Sequence, residues 1–133
     1  MVKQFQLSDQ SIIGFVATSD PDQAKKFYRD TLGLPLVSDE MPFALVFDAH
    51  GTMLRVTIVK KVVSAGYTVL GWQVPNIVAA AKALSQAGVW FECYPCMQQD
   101  ELGIWSSPGG ASVAWFKDPD GNTLSISQHI GIS

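Results

Sequence analysis

The sequence predicts an α+β domain of two tandem βαβββ modules, whose sheets form a curved half-barrel around a concave cleft. Three observations carry this expectation. Asp118-Pro119-Asp120-Gly121 is a tight turn between two apolar runs, 112–116 and 123–127. Pro119 presets φ at the second turn position, and Gly121 accepts the left-handed conformation that follows. An earlier turn, Asp48-Ala49-His50-Gly51, echoes it 70 positions upstream. Two capped amphipathic helices begin 56 positions apart, at Asp20 and Asn76.

The elements follow in order. An apolar run over 11–18 reads as a strand. Asp20 caps the first helix, Pro21 fits its first position, and Gly33 ends it. Ala24, Phe27, Tyr28, Thr31 and Leu32 recur at helical spacing. Strands are expected over 34–37, 43–47 and 53–59. The second module opens with a strand over 67–74 and a helix from Asn76 to Gly88, with Ile77, Ala80, Ala81 and Leu84 on its apolar face. Runs at 89–94, 104–106, 112–116 and 123–127 supply its remaining strands. The unequal offsets place about fourteen extra residues in the second module, near 95–110. The whole chain, 1–133, reads as one domain, with module 1 at about 11–60 and module 2 at about 66–129.

Each module covers only one face of its sheet with its helix. The other face needs a partner or remains a cavity. Length and composition agree with one globular domain: 133 residues, 47% apolar and 16% charged. A formal charge of −3 argues against a nucleic-acid or anionic-membrane surface. No apolar stretch approaches the roughly 18 residues of a membrane span. The first residues lack a signal-peptide core, so a cytoplasmic location is expected. Two cysteines make no disulfide scaffold.

Phe116-Lys-Asp-Pro-Asp-Gly-Asn-Thr-Leu-Ser125 is similar to a strong signature of the glyoxalase, bleomycin-resistance and extradiol-dioxygenase group, the vicinal oxygen chelate superfamily. Asp20…Phe27-Tyr28…Leu32-Gly33 resembles the family's first helix, and Val74-x-Asn76…Leu84…Gly88-Val89 its second. The resemblance covers roughly 12–128 and implies the glyoxalase-like fold. It also implies four metal-ligand slots on inward strand positions, filled in metal-dependent members by His, Glu or Gln. Here those slots fall at Ile13, Arg55, Val69 and Ser125. Isoleucine and valine cannot ligate, arginine repels a cation, and serine alone is a poor ligand. The family metal site is therefore expected to be missing, and no cofactor is expected.

Strand alternation then fills the concave face. With Arg55 inward, Met53 and Thr57 join it, while Leu54, Val56 and Ile58 pack beneath the helices. With Ser125 inward, so are Thr123 and Ser127. Ile13, Phe15, Ala17, Val69, Gly71 and Gln73 complete the face. This is an apolar site with few polar points, as small-molecule sites are. Arg55 holds a ligand anion, pairs with an internal acid such as Glu101 or Glu92, or lies exposed at the mouth. Glu101 is a base, Arg55's partner, or a solvated loop acid. Trp105 stacks on a planar ligand or packs in the core. Trp72 is expected beneath a helix, and one of Trp115 and Phe116 in the pocket. The expected binding set is Arg55, Ser125, Gln73, Met53, Phe15, Glu101 and Trp105, with no catalytic residue assigned.

Cys93-Tyr-Pro-Cys96 ends a strand rather than opening a helix, so it lacks the setting of a redox pair. His50, in a hairpin turn, is read as solvated and His129 lies near the C-terminus, with a catalytic role open to either; Asp118 and Asp120 are read as turn residues. The expected function is binding of a small organic ligand, anionic or aromatic, in a metal-free cleft. The alternative is a metal-dependent lyase or dioxygenase with unconventional ligands such as Glu101, His50 or His129. The resemblance also makes a homodimer the expected assembly.

Overall fold

The computed structural model describes residues 4–130. After a 3-10 turn at Leu7–Asp9, the first module runs β1 (Ile13–Thr18), α1 (Pro21–Lys25), β2 (Leu36–Glu40), β3 (Ala44–Ala49) and β4 (Thr52–Ile58). α1 continues into a π-helical turn, Lys26–Thr31. The second module runs β5 (Thr68–Gln73), α2 (Ile77–Gln86), β6 (Trp105–Ser106), β7 (Ser112–Lys117) and β8 (Thr123–Gln128). The helix starts behave as their residues dictate. Asp20 and Asn76 accept hydrogen bonds from the N–H groups of Gln23 and Ala79 at 3.2 and 3.1 Å.

The two sheets repeat one topology. Sheet 1 has the order β1-β4-β3-β2 and sheet 2 the order β5-β8-β7-β6. In each, the first strand runs parallel to the last. Phe15 stands beside Arg55, and Gly71 beside Ser125, so the 56- and 70-residue offsets hold across these ladders. β1 and β5 adjoin, and one core cluster joins both modules through Tyr28, Phe47, Leu54, Phe116 and Leu124. The sheets do not close into a barrel.

Three expectations change in detail. The run 89–94 forms no strand; Phe91 makes a single bridge to Phe116. The side chain of Gln99 takes over the pairing: its oxygen accepts from Tyr94 N–H at 2.7 Å, and its amide donates to the carbonyls of Glu92 and Gly103 at 2.8 Å. Val69 sits at a register shift between Thr68 and Leu70, which breaks the strand's alternation. The two hairpin turns also differ by one residue. Four residues separate the paired Asp48 and Met53, whose ladder runs on to Ala49 and Thr52, whereas five separate the equivalent pair Lys117 and Thr123. Before the turn the offset is therefore 69, and Asp118 corresponds to Ala49 rather than Asp48.

Candidate functional site

β4 alternates as expected. Leu54 and Val56 are buried in the core, and Met53, Arg55 and Thr57 occupy the opposite face. Ladder partners place Ile13, Phe15 and Ala17 on that face from β1, and Ala44, Val46 and Asp48 from β3. The face is open: Phe15 is 62% exposed, and Ile13 and Met53 are each 43% exposed. Arg55 is partly shielded among them. Its guanidinium donates to Glu40 Oε1 at 2.9 Å. Glu40 pairs with Ala44 across β2 and β3, which brings its carboxylate to Arg55. An internal acid thus faces Arg55, but it is neither Glu101 nor Glu92. Glu101 is exposed in a loop turn, and Glu92 lies 3.9 Å from Lys117.

The equivalent face of sheet 2 is aromatic and hydroxylic. Ser125 is buried and pairs with Trp115 and Gly71. A Cβ at position 71 would lie 2.7 Å from Ser125 Oγ, so glycine there makes room for the hydroxyl. Because of the register shift, Thr68 shares this face with Gly71. Trp115 Nε1 donates to Thr68 Oγ1 at 3.1 Å. Trp115 also meets Tyr94 edge-on and Trp105 at a tilt, with ring centroids 5.7 and 6.0 Å apart. Burial, then the Glu92 charge, raises the Tyr94 pKa. Trp115 is therefore the pocket-side aromatic, while Phe116 and Trp72 stack in the core. Trp105 belongs to this cluster and lines a pocket of about 540 Å³ with Met97, Gln99 and Ile104.

The expected set thus divides into two groups. Phe15, Met53 and Arg55 share the face of sheet 1. Gln73, Ser125 and Trp105 belong to sheet 2, and Glu101 stands apart. His129 Nε2 lies 3.0 Å from Ser127 Oγ, and Cys93 and Cys96 are free and exposed. Among the described residues, no three His, Cys, Asp or Glu side chains gather as a metal-binding group. The unconventional ligands Glu101, His50 and His129 therefore form no such set.

The aspartates read as turn residues do more than turn the chain. Asp118 is buried, and its carboxylate accepts four hydrogen bonds. Oδ1 receives the N–H groups of Asp120 and Asn122 at 3.0 and 2.9 Å. Oδ2 receives the Tyr28 hydroxyl at 2.6 Å and the Asn122 amide at 2.8 Å. That amide also donates to Ala17 O at 2.8 Å. Asp120 accepts from the Thr18 hydroxyl, and from the Ser19 N–H and hydroxyl at 2.8 Å. The second module's turn is thereby fastened to the first module's strand and helix. Burial, reinforced by the Asp118 charge, holds the Tyr28 phenol far above the ordinary tyrosine pKa.

With this fold and these faces, the match to known proteins is informative. A family model for the Glyoxalase/Bleomycin resistance protein/Dioxygenase superfamily matches residues 11–126, and the chain belongs to that superfamily. Lactoylglutathione lyase from Agrobacterium tumefaciens superposes with a TM-score of 0.70 at 16% identity, covering 93% of this chain and 98% of that one. A superfamily member from Alicyclobacillus acidocaldarius gives 0.68 at 19% identity, covering 92% of each chain. One from Sphaerobacter thermophilus DSM 20745 gives 0.66 at 23%, covering 90% and 98%. At these identities the likeness shows the fold alone. A comparison with curated proteins finds no match. No helix among the described residues is long and apolar enough to cross a membrane.

Proposed function

We propose that the chain is a binding protein for a small aromatic anion, held on the open face of sheet 1. Arg55 anchors the anion, and Ile13, Phe15 and Met53 bind its apolar body. The observation that supports this most directly is the Arg55–Glu40 pair at 2.9 Å in the midst of exposed apolar side chains. A guanidinium in such surroundings gains from a bidentate carboxylate partner. Glu40 is 43% exposed at its side chain and holds that place from a strand end, where a ligand carboxylate competes with it. The slot residues Ile13, Arg55, Val69 and Ser125 offer a divalent ion no ligand set.

The test is a thermal-shift and tryptophan-quenching screen with aromatic carboxylates and their amides. Carboxylates that stabilise wild type but not Arg55→Ala support the reading. Equal responses from the amides, or none from any carboxylate at millimolar concentration, overturn it.

A further inference from the structure

The internal duplication builds two corresponding seams, and among the described residues side-chain hydrogen bonds latch only one. In the first, Tyr28, Thr18 and Ser19 meet Asp118, Asp120 and Asn122. The ladders and helix ends fix the counterparts. Tyr28 O accepts from Leu34 N–H just beyond its helix, and Leu84 O accepts from Val89 N–H just beyond its own. Leu84 therefore stands where Tyr28 does. Val74 replaces Thr18, Pro75 replaces Ser19, and Ala49 replaces Asp118. These four members of the latch have lost their hydroxyl, N–H or carboxylate. At this second seam the structure has a cavity of about 660 Å³, with His50, Trp72, Gln73, Val74, Ala83 and Leu84 in its wall.

We propose that this open seam is a second binding site, for an uncharged, planar aromatic molecule. Its volume is that of a small-ligand site. Trp72, stacked at 19° on the buried Phe116 with centroids 6.5 Å apart, gives it an aromatic wall. Among the described residues no Asp, Glu, Lys or Arg lines it, so a charged ligand would lose its hydration without a partner. His50 and Gln73 supply the polar side-chain groups, enough to orient one hydrogen-bonding substituent. The site is distinct from the face that carries Arg55, and its ligand has the opposite requirement for charge.

The test uses the full chain and N-phenyl-1-naphthylamine, a neutral aromatic probe. Ala83 is exposed on α2, so Ala83→Phe fills the cavity with little demand on the core. The expected result is saturable probe fluorescence with wild type and with Arg55→Ala, and binding at least about tenfold weaker with Ala83→Phe. In wild type, the probe should shift the Trp72 indole N–H and Leu84 methyl resonances. That measurement decides the matter if Ala83→Phe does not fold. Unchanged binding by folded Ala83→Phe overturns the proposal. So does saturable binding that leaves the Trp72 and Leu84 signals in place, or no saturable binding at all.

Discussion

The Tyr28 hydroxyl donates to Asp118 Oδ2 at 2.6 Å across 90 residues of sequence, and this bond joins the two modules. Both groups are buried, so neither has water as an alternative. The turn that closes the last hairpin is therefore also the fastening of the domain.

Tyr28→Phe should lower unfolding free energy by about 1–3 kcal/mol, because it strips one donor from a buried carboxylate. Tyr94→Phe should change it by less than about 0.5 kcal/mol, since the Tyr94 ring contact with Trp115 survives. Urea unfolding of both variants measures the difference.

The same bond predicts alkaline sensitivity. An acid whose folded-state pKa is raised stabilises the fold fully below its unfolded pKa. For Tyr28 that stabilisation is lost as pH rises above about 10, where the unfolded chain releases the phenolic proton and the folded chain retains it. Wild type should therefore lose up to about 1.4 kcal/mol per pH unit above pH 10 beyond the loss shown by Tyr28→Phe. Urea midpoints between pH 8 and 11 provide the check; parallel curves for the two proteins would refute it.

Gly71→Ala should destabilise by about 1 kcal/mol, since the new Cβ displaces the Ser125 hydroxyl from its rotamer. Adding Ser125→Ala should restore most of the loss. A double mutant no better than the sum of its parts would mean that the two side chains do not share a face.

Glu40→Gln should leave stability within about 1 kcal/mol of wild type, as partly exposed ion pairs contribute little. It should tighten aromatic-carboxylate binding severalfold, because the competing internal acid is gone. Calorimetric titration of wild type and variant against the same carboxylate reads both effects.

Local chemistry was the legible part of the sequence. The caps at Asp20 and Asn76 and the glycine-bearing turns are short-range signals, and each marks an element that forms. Parity on β4 was readable because apolar and polar residues alternate there. The sequence did not reveal Glu40 as the partner of Arg55. That pairing depends on the β2–β3 register, which one bulge near Ser38 resets. The Val69 register shift and the loss of a strand at 89–94 have the same character: an unpaired extra residue interrupts one ladder, and the Gln99 side chain takes backbone partners at the other. Tyr28 and Asp118 each had a sufficient local explanation, one as a helix-face residue and the other as a turn residue. Their contact arises only when the modules meet.

If Arg55 receives a ligand carboxylate, its Nε–H resonance reports the contact. During titration with an aromatic carboxylate it should move saturably, in step with the methyl resonances of Ile13 and Met53, and the matching amide should leave it unmoved. If carboxylate and amide shift it alike, or if binding saturates while this resonance stays fixed, Arg55 does not hold the anion.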